Sequence, residues 1–156
     1  MSLHQTTTMT EAELRIFIGI VQHYFEQQTG CPAEMGTPFL GDPNVLPVFD
    51  FTGVIGISGN RRGCVYFTAP SEMLRQILVH GGESDVSREN LADLAGEISN
   101  TISGNARRAF GHEFMISVPI VVTGREQSIS LPESVKAYVM PFRWREQDAA
   151  LVVSVV

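Results

Sequence analysis

The run "FDFTGVIGISGNRRGCVYFTAP", residues 49–70, limits the folds open to this chain more than any other stretch. Two segments rich in Val, Ile, Phe, Tyr and Thr flank Gly59-Asn60-Arg61-Arg62-Gly63, the pattern of two strands around a Gly/Asn turn. Strands joined so tightly must run antiparallel, because a parallel pair needs a long crossover. Three further strand-like runs come late, "FMISVPIVVTG", "ESVKAYVMPFRW" and "AALVVSVV", with polar turns between them.

Helical signals fill the rest. Thr10 followed by Glu13 makes a capping box, and Leu14, Phe17, Ile18, Val21, Tyr24 and Phe25 recur at helical spacing until Gly30. Residues 31–48 hold Pro32, Pro38, Pro43 and Pro47, which exclude a helix and predict a loop or an irregular extended segment. Pro70-Ser71 starts a short helix that ends near Gly81-Gly82, and Ser87 caps a third helix that should stop at Gly111. The expected architecture is α+β, with three helices packed on a mainly antiparallel sheet of about five strands. At 156 residues a single domain over 1–156 suffices, with residues 1–9 as a flexible tail and no linker or low-complexity tract.

Composition narrows the partners. A formal net charge of −6 argues against nucleic acid or an anionic membrane, both of which demand clustered Lys and Arg; Arg61-Arg62 and Arg107-Arg108 are too short to form a patch. The N-terminal stretch lacks a basic region, and Glu11, Glu13 and Arg15 interrupt its apolar residues, so it reads as neither signal peptide nor membrane span. Cys31 and Cys64 fit plain buried or half-buried thiols in a reducing, cytoplasmic setting. His4, His23, His80 and His112 lack partners at metal-ligand spacing, and Gly53, Gly56 and Gly59 match neither the P-loop nor the dinucleotide fingerprint. No nucleophile elbow or catalytic cysteine context occurs.

The third helix, around "ADLAGEISNTISGNA" (residues 92–106), is the candidate site. At about 100° per residue, Leu91, Leu94, Ala95, Ile98, Ile102 and Ala109 fall in one sector, the expected buried stripe. Asp93, Glu97, Asn100 and Gly104 fall together in another sector roughly 60° wide and well away from it. A carboxylate and a carboxamide one turn apart thus face outward together. Gly104 costs roughly 1 kcal/mol of helix propensity relative to Ala, and close approach of another surface is one reason to keep it there.

This pattern resembles the CheX branch of the CheC, CheX and FliY family of bacterial chemotaxis phosphatases. The family's helix motif, an Asp or Ser, then Glu four residues on, Asn three further, and a Pro about a score of residues later, is matched by Asp93, Glu97, Asn100 and Pro119. The hairpin, "SGNARRAFGHEFMISVPIVVTG" and "ISLPES" follow in the order of CheX-like chains. CheC-like members carry the motif twice, whereas the first helix here has no Glu-x-x-Asn, which implies one site per chain. The resemblance implies a CheC-like fold and hydrolysis of the aspartyl phosphate of a CheY-type response regulator. In that chemistry Asn100 orients the attacking water, and Glu97 reaches a lysine of the regulator's site. Asp93 and Gly104 would belong to the partner-docking face. No metal or other cofactor is expected on this chain; Mg²⁺ is expected on the phosphorylated regulator. A homodimer is implied too, with "AALVVSVV" as a long apolar edge in need of pairing. The alternative is a CheX-like adaptor that binds a regulator or another signalling protein without hydrolysing anything.

Overall fold

The computed structural model of the chain describes residues 9–42, 44–126, 129–131 and 134–156. Helix α1 (Glu11–Thr29) opens on the predicted capping box: the Thr10 hydroxyl accepts from the Glu13 N–H at 3.1 Å, and the Glu13 carboxylate accepts from the Thr10 N–H at 2.9 Å. It ends at Gly30, whose φ of 70° is left-handed. Of the tail expected over 1–9, only Met9 is among the described residues, and it is buried.

The proline-rich stretch is irregular, as its composition demands, apart from two short strands, β1 (Glu34–Met35) and β2 (Phe39–Leu40). The hairpin follows as β3 (Phe51–Gly59) and β4 (Gly63–Ala69), then helices α2 (Ser71–His80) and α3 (Arg88–Phe110). Four strands complete the chain: β5 (Phe114–Ile116), β6 (Ile120–Thr123), β7 (Tyr138–Trp144) and β8 (Gln147–Val155). Among the described residues, eight strands form one sheet of order β1-β7-β8-β4-β3-β5, with β2 also on β7 and β6 also on β3, and each of their pairings is antiparallel.

The sheet exceeds the expected five strands for two reasons. The pairs in β1 and β2 extend only because β7 offers them its free edge, a tertiary contact. The run "FMISVPIVVTG" is not one strand but two, because Pro119 has no N–H for the ladder. At the break, the Ser117 hydroxyl takes the Gly56 N–H at 2.8 Å, while the Ser117 N–H donates to the Gly56 carbonyl at 2.9 Å.

A second correction concerns the C-terminus. Residues of "AALVVSVV" do not form an exposed edge: β8 lies inside the sheet, bonded to β4 on one side and β7 on the other, and Ala149 to Val155 are buried. The sheet's own edges are β1/β2 and β5/β6.

Register sorts the two faces. Ile55, Val65, Phe67, Leu151, Val153, Met140 and Phe142 share the main core with Phe17, Val21 and Phe25 of α1 and Leu94, Ala95, Ile98 and Ile102 of α3. On the opposite face Tyr66, Val139, Ala150 and Val152 are covered by Leu46, Phe49, Ile129 and Leu131 instead of a helix. Trp144 is fully buried, and its indole N–H donates to the Cys31 carbonyl at 3.0 Å, which pins the proline-rich stretch to the sheet. Cys31 and Cys64 are free, and burial pushes the Cys64 thiol up to about 11, an unreactive state. No helix among the described residues is long and apolar enough to cross a membrane.

Candidate functional site

Helix α3 carries the candidate residues, and its inner face holds it rigidly. Ser87 caps it, accepting the Asn90 N–H at 3.3 Å. Leu91, Ala95, Ile98 and Ile102 are buried as the wheel requires. Ala109 is not: it is exposed, because the last turn is anchored instead through Phe110, whose ring lies 5.6 Å from Phe17 and 5.0 Å from Phe114. Ala106 is the buried alanine of that end.

Two glycines let this helix sit unusually close to the sheet. A Cβ on Gly53 in β3 would lie 2.0 Å from the Ser99 hydroxyl oxygen and 2.9 Å from the Ala95 carbonyl oxygen. That hydroxyl donates to the same carbonyl at 2.7 Å, so the helix backbone rests directly on β3. On the flank, a Cβ on Gly96 would approach Val121 of β6 at 3.1 Å. The helix is thereby fixed in depth and in rotation, as a site built on a rigid element requires.

With the inner face so fixed, Asp93, Glu97 and Asn100 are exposed together on the outer one, as the angular argument predicts. They line one wall of an open groove of ≈ 580 Å³; Val118, Pro119 and Val121 from the β5–β6 break form the other. Gly104 lies one turn beyond Asn100, and among the described residues no atom outside its own turn of helix comes within 4 Å of where its Cβ would be. Among the described residues no other part of the chain approaches it; around α3 the close contacts made possible by glycine are at Gly53 and Gly96.

On the far side of Glu97 stands α1. Tyr24 is 7% exposed, and burial first, then the Glu97 carboxylate, push its phenol above its ordinary value. The sequence pattern treated Tyr24 only as core, and nothing local marks it as a neighbour of Glu97. The opposite wall holds Pro119, named in the sequence only as the proline of the family's motif; the break it makes in a run read as one strand was the available signal.

Chemically, the groove offers a carboxylate and a carboxamide about 4.5 Å apart along the helix axis, open to a second macromolecule. Among the described residues no group of three His, Cys, Asp or Glu side chains could hold a metal ion. A larger hollow of ≈ 620 Å³ lies over the other face of the sheet, lined by Phe39, Phe49, Val139 and Pro141, and includes none of the four α3 residues. Its lining is mostly apolar, and size alone does not make it the reactive site.

Comparison with known proteins bears on the fold and the family. The chain is similar in fold to a putative chemotaxis protein from Desulfovibrio vulgaris Hildenborough, with 22% identity over 96% of this chain and 100% of that one and a TM-score of 0.83. A chemotactic CheC-like protein from Shewanella oneidensis MR-1 gives 25% identity over 95% and 100% of the two chains, with a TM-score of 0.81. The CheX–CheY–BeF3–Mg complex from Borrelia burgdorferi contains a chain with 17% identity over 92% and 97%, and a TM-score of 0.72. No curated protein matches the chain. The family described as chemotaxis phosphatase CheX matches residues 51–143, more than half of the sequence and the whole of the hairpin, α2, α3 and the groove. With its CheC-like fold of three helices on an antiparallel sheet, the chain belongs to the CheX family.

Proposed function

We propose that this protein hydrolyses the aspartyl phosphate of a CheY-type response regulator, with Glu97 and Asn100 as the working residues. The observation that carries the reading is their joint exposure on a helix held rigidly from below, at the rim of a groove open to another protein. Family membership and the likeness to a chain of a CheX–CheY complex support it.

An acyl phosphate is already activated. Its hydrolysis forms a bond from a water oxygen to phosphorus and breaks the bond to the aspartyl oxygen, releasing inorganic phosphate and a carboxylate that needs no proton on leaving. The regulator's Mg²⁺ and lysine neutralise the phosphoryl oxygens, so an oriented water is the missing part. Asn100 supplies it: its carboxamide oxygen accepts from the water, its N–H₂ donates toward the phosphoryl group, and neither repels the anion. Glu97 docks the helix by a charge-assisted contact with the regulator's lysine.

The homodimer belongs to the same reading, at a different edge from the C-terminal one. On β5/β6, Met115 (51% exposed) and Ile120 (68%), which are not among the groove's lining residues, leave an apolar sheet edge suited to a second copy.

The test is phosphate release from an acetyl-phosphate-charged regulator with Mg²⁺, with and without the protein. Faster release, together with about tenfold weaker binding by Glu97→Lys, supports the phosphatase. Binding without acceleration leaves an adaptor, and unchanged affinity in Glu97→Lys removes this helix face as the docking surface.

A further inference from the structure

The outer face of α3 does not end at Gly104. Arg107 and Arg108 are both exposed, and with Gly104, Gly111 and His112 they line a shallow hollow of ≈ 320 Å³. Seven residues make nearly two turns and eleven make just over three, so Arg107 stands in line with Asn100 and Arg108 in line with Glu97. At 1.5 Å per residue the separations along the axis are about 10 Å and about 16 Å. Gly104 lies between the two ends as a saddle, with no atom from outside its own turn of helix, among the described residues, within 4 Å of its missing side chain.

These two arginines also differ from most cations of the chain. Arg15, Arg61, Arg75, Arg125 and Arg143 are each paired with a carboxylate. Arg88 lies over the Phe51 ring and Arg145 over the Trp144 ring. Arg107 has no carboxylate among the described residues; its guanidinium donates to the His112 carbonyl at 3.2 and 3.4 Å, which holds it in place. Arg108 has neither an ion pair nor a hydrogen bond among the described residues. In a chain of net charge −6, the ridge that bears Asp93 and Glu97 at one end therefore bears two unneutralised guanidinium groups at the other.

We infer that Arg107 and Arg108 form a second, cationic docking point for the same response regulator, engaging carboxylates on the regulator's surface about 10–12 Å along the helix axis from the phosphoaspartate that faces Asn100. This rests on the phosphatase reading above. An ordinary protein interface buries about 800 Å² per partner, a patch of roughly 16 Å radius. A regulator centred on Asn100 therefore covers both arginines, and the glycine saddle lets its surface follow the helix between them. Guanidinium groups favour planar, bidentate carboxylate partners. A stripe acidic at one end and basic at the other permits one docking direction along α3 and opposes the reverse, which would set like charges together. It also gives an acidic protein a local field that attracts an acidic partner.

The experiment uses the full chain and a CheY-type regulator charged with beryllium fluoride and Mg²⁺ for binding, or with acetyl phosphate for turnover. Arg108→Glu should weaken binding and raise KM about tenfold while kcat holds, and should flatten the loss of affinity with added salt. Arg108→Gln should do the same to a smaller degree, and Arg108→Lys should recover most of the loss. Parent-like affinity and salt dependence in both Arg108→Glu and Arg108→Gln would overturn the inference, as would a fall in kcat at unchanged KM. If Glu97→Lys also bound like the parent, the phosphatase reading would fail with it; a weakened Glu97→Lys beside an unaffected Arg108→Glu would remove the cationic point alone.

Discussion

Gly53→Ala is the sharpest probe of how the sheet holds the site. The added Cβ would sit 2.0 Å from the Ser99 hydroxyl oxygen, 2.8 Å from the Ser99 Cβ and 2.9 Å from the Ala95 carbonyl oxygen. Rotating Ser99 relieves the first contact, but neither its Cβ nor the Ala95 carbonyl can move without moving α3. The helix must therefore rise off β3, and overpacking of this kind costs about 1–3 kcal/mol. In a domain of this size each kcal/mol lowers Tm by about 2–4 °C, so a fall of roughly 2–12 °C is expected, with the loss read from urea unfolding. Because α3 carries Glu97 and Asn100, displacement of the order of 1 Å should also lower phosphate release from a charged regulator by about a hundredfold. Gly53→Ala combined with Ser99→Gly should recover only part of the stability, since the carbonyl contact stays. A Gly53→Ala protein with parent stability and parent turnover would refute the claim that helix-to-strand contact sets the position of the site.

Other consequences can be checked independently. The Glu13 carboxylate meets Arg61 at 2.6 Å, with the two side chains only 20% and 17% exposed. Burial raises the Glu13 pKa, but the Arg61 contact and the Thr10 N–H outweigh it and hold the carboxyl below its ordinary value of 4.5. A depressed folded-state pKa contributes stability above the unfolded value, lost as pH falls through the folded one. Stability should therefore drop below about pH 4.5, and Glu13→Gln should be weaker at pH 7 but less acid-sensitive in chemical denaturation; an unchanged acid profile in the variant would exclude the pair as its source. Light scattering at tens of micromolar (on the order of a typical working range) should report a dimer that Ile120→Glu, on the β5/β6 edge, dissociates; a parent mass near 17.1 kDa would reject the dimer.

The parts of this protein that were legible in its sequence are those set by local chemistry. Thr10, Gly30, Ser87 and Gly111 mark helix ends because caps are made by residues a few positions away. The hairpin turn was equally local. Sheet order was not: whether "AALVVSVV" lies at an edge or in the middle depends on β4, some eighty residues earlier. Its apolar run, interrupted by Ser154 alone and without alternation, was the available sign of burial on both faces. The strands β1 and β2 had no signal, since they borrow their conformation from β7. At the site, helical periodicity sufficed to bring Asp93, Glu97 and Asn100 to one face, while the facing wall and Tyr24 depended on how α3 packs against β6 and α1. Arg107-Arg108 is too short a pair to stand out as a patch in sequence; its meaning comes from lying in line with Asn100 and Glu97.

The central claim is that Asn100 orients the attacking water, and the decisive measurement is phosphate release from a phosphorylated CheY-type regulator with Mg²⁺, comparing the parent with Asn100→Ala and Asn100→Asp. Asn100 is exposed, and alanine has the higher helix propensity, so the Ala variant should be at least as stable as the parent. If the carboxamide positions the water, regulator binding survives while turnover falls about a hundredfold, the equivalent of roughly 2 to 3 kcal/mol of barrier. Asn100→Asp keeps the shape but brings negative charge toward the phosphoryl group, and should be poor as well. Parent-like phosphate release by a folded Asn100→Ala protein would contradict the account.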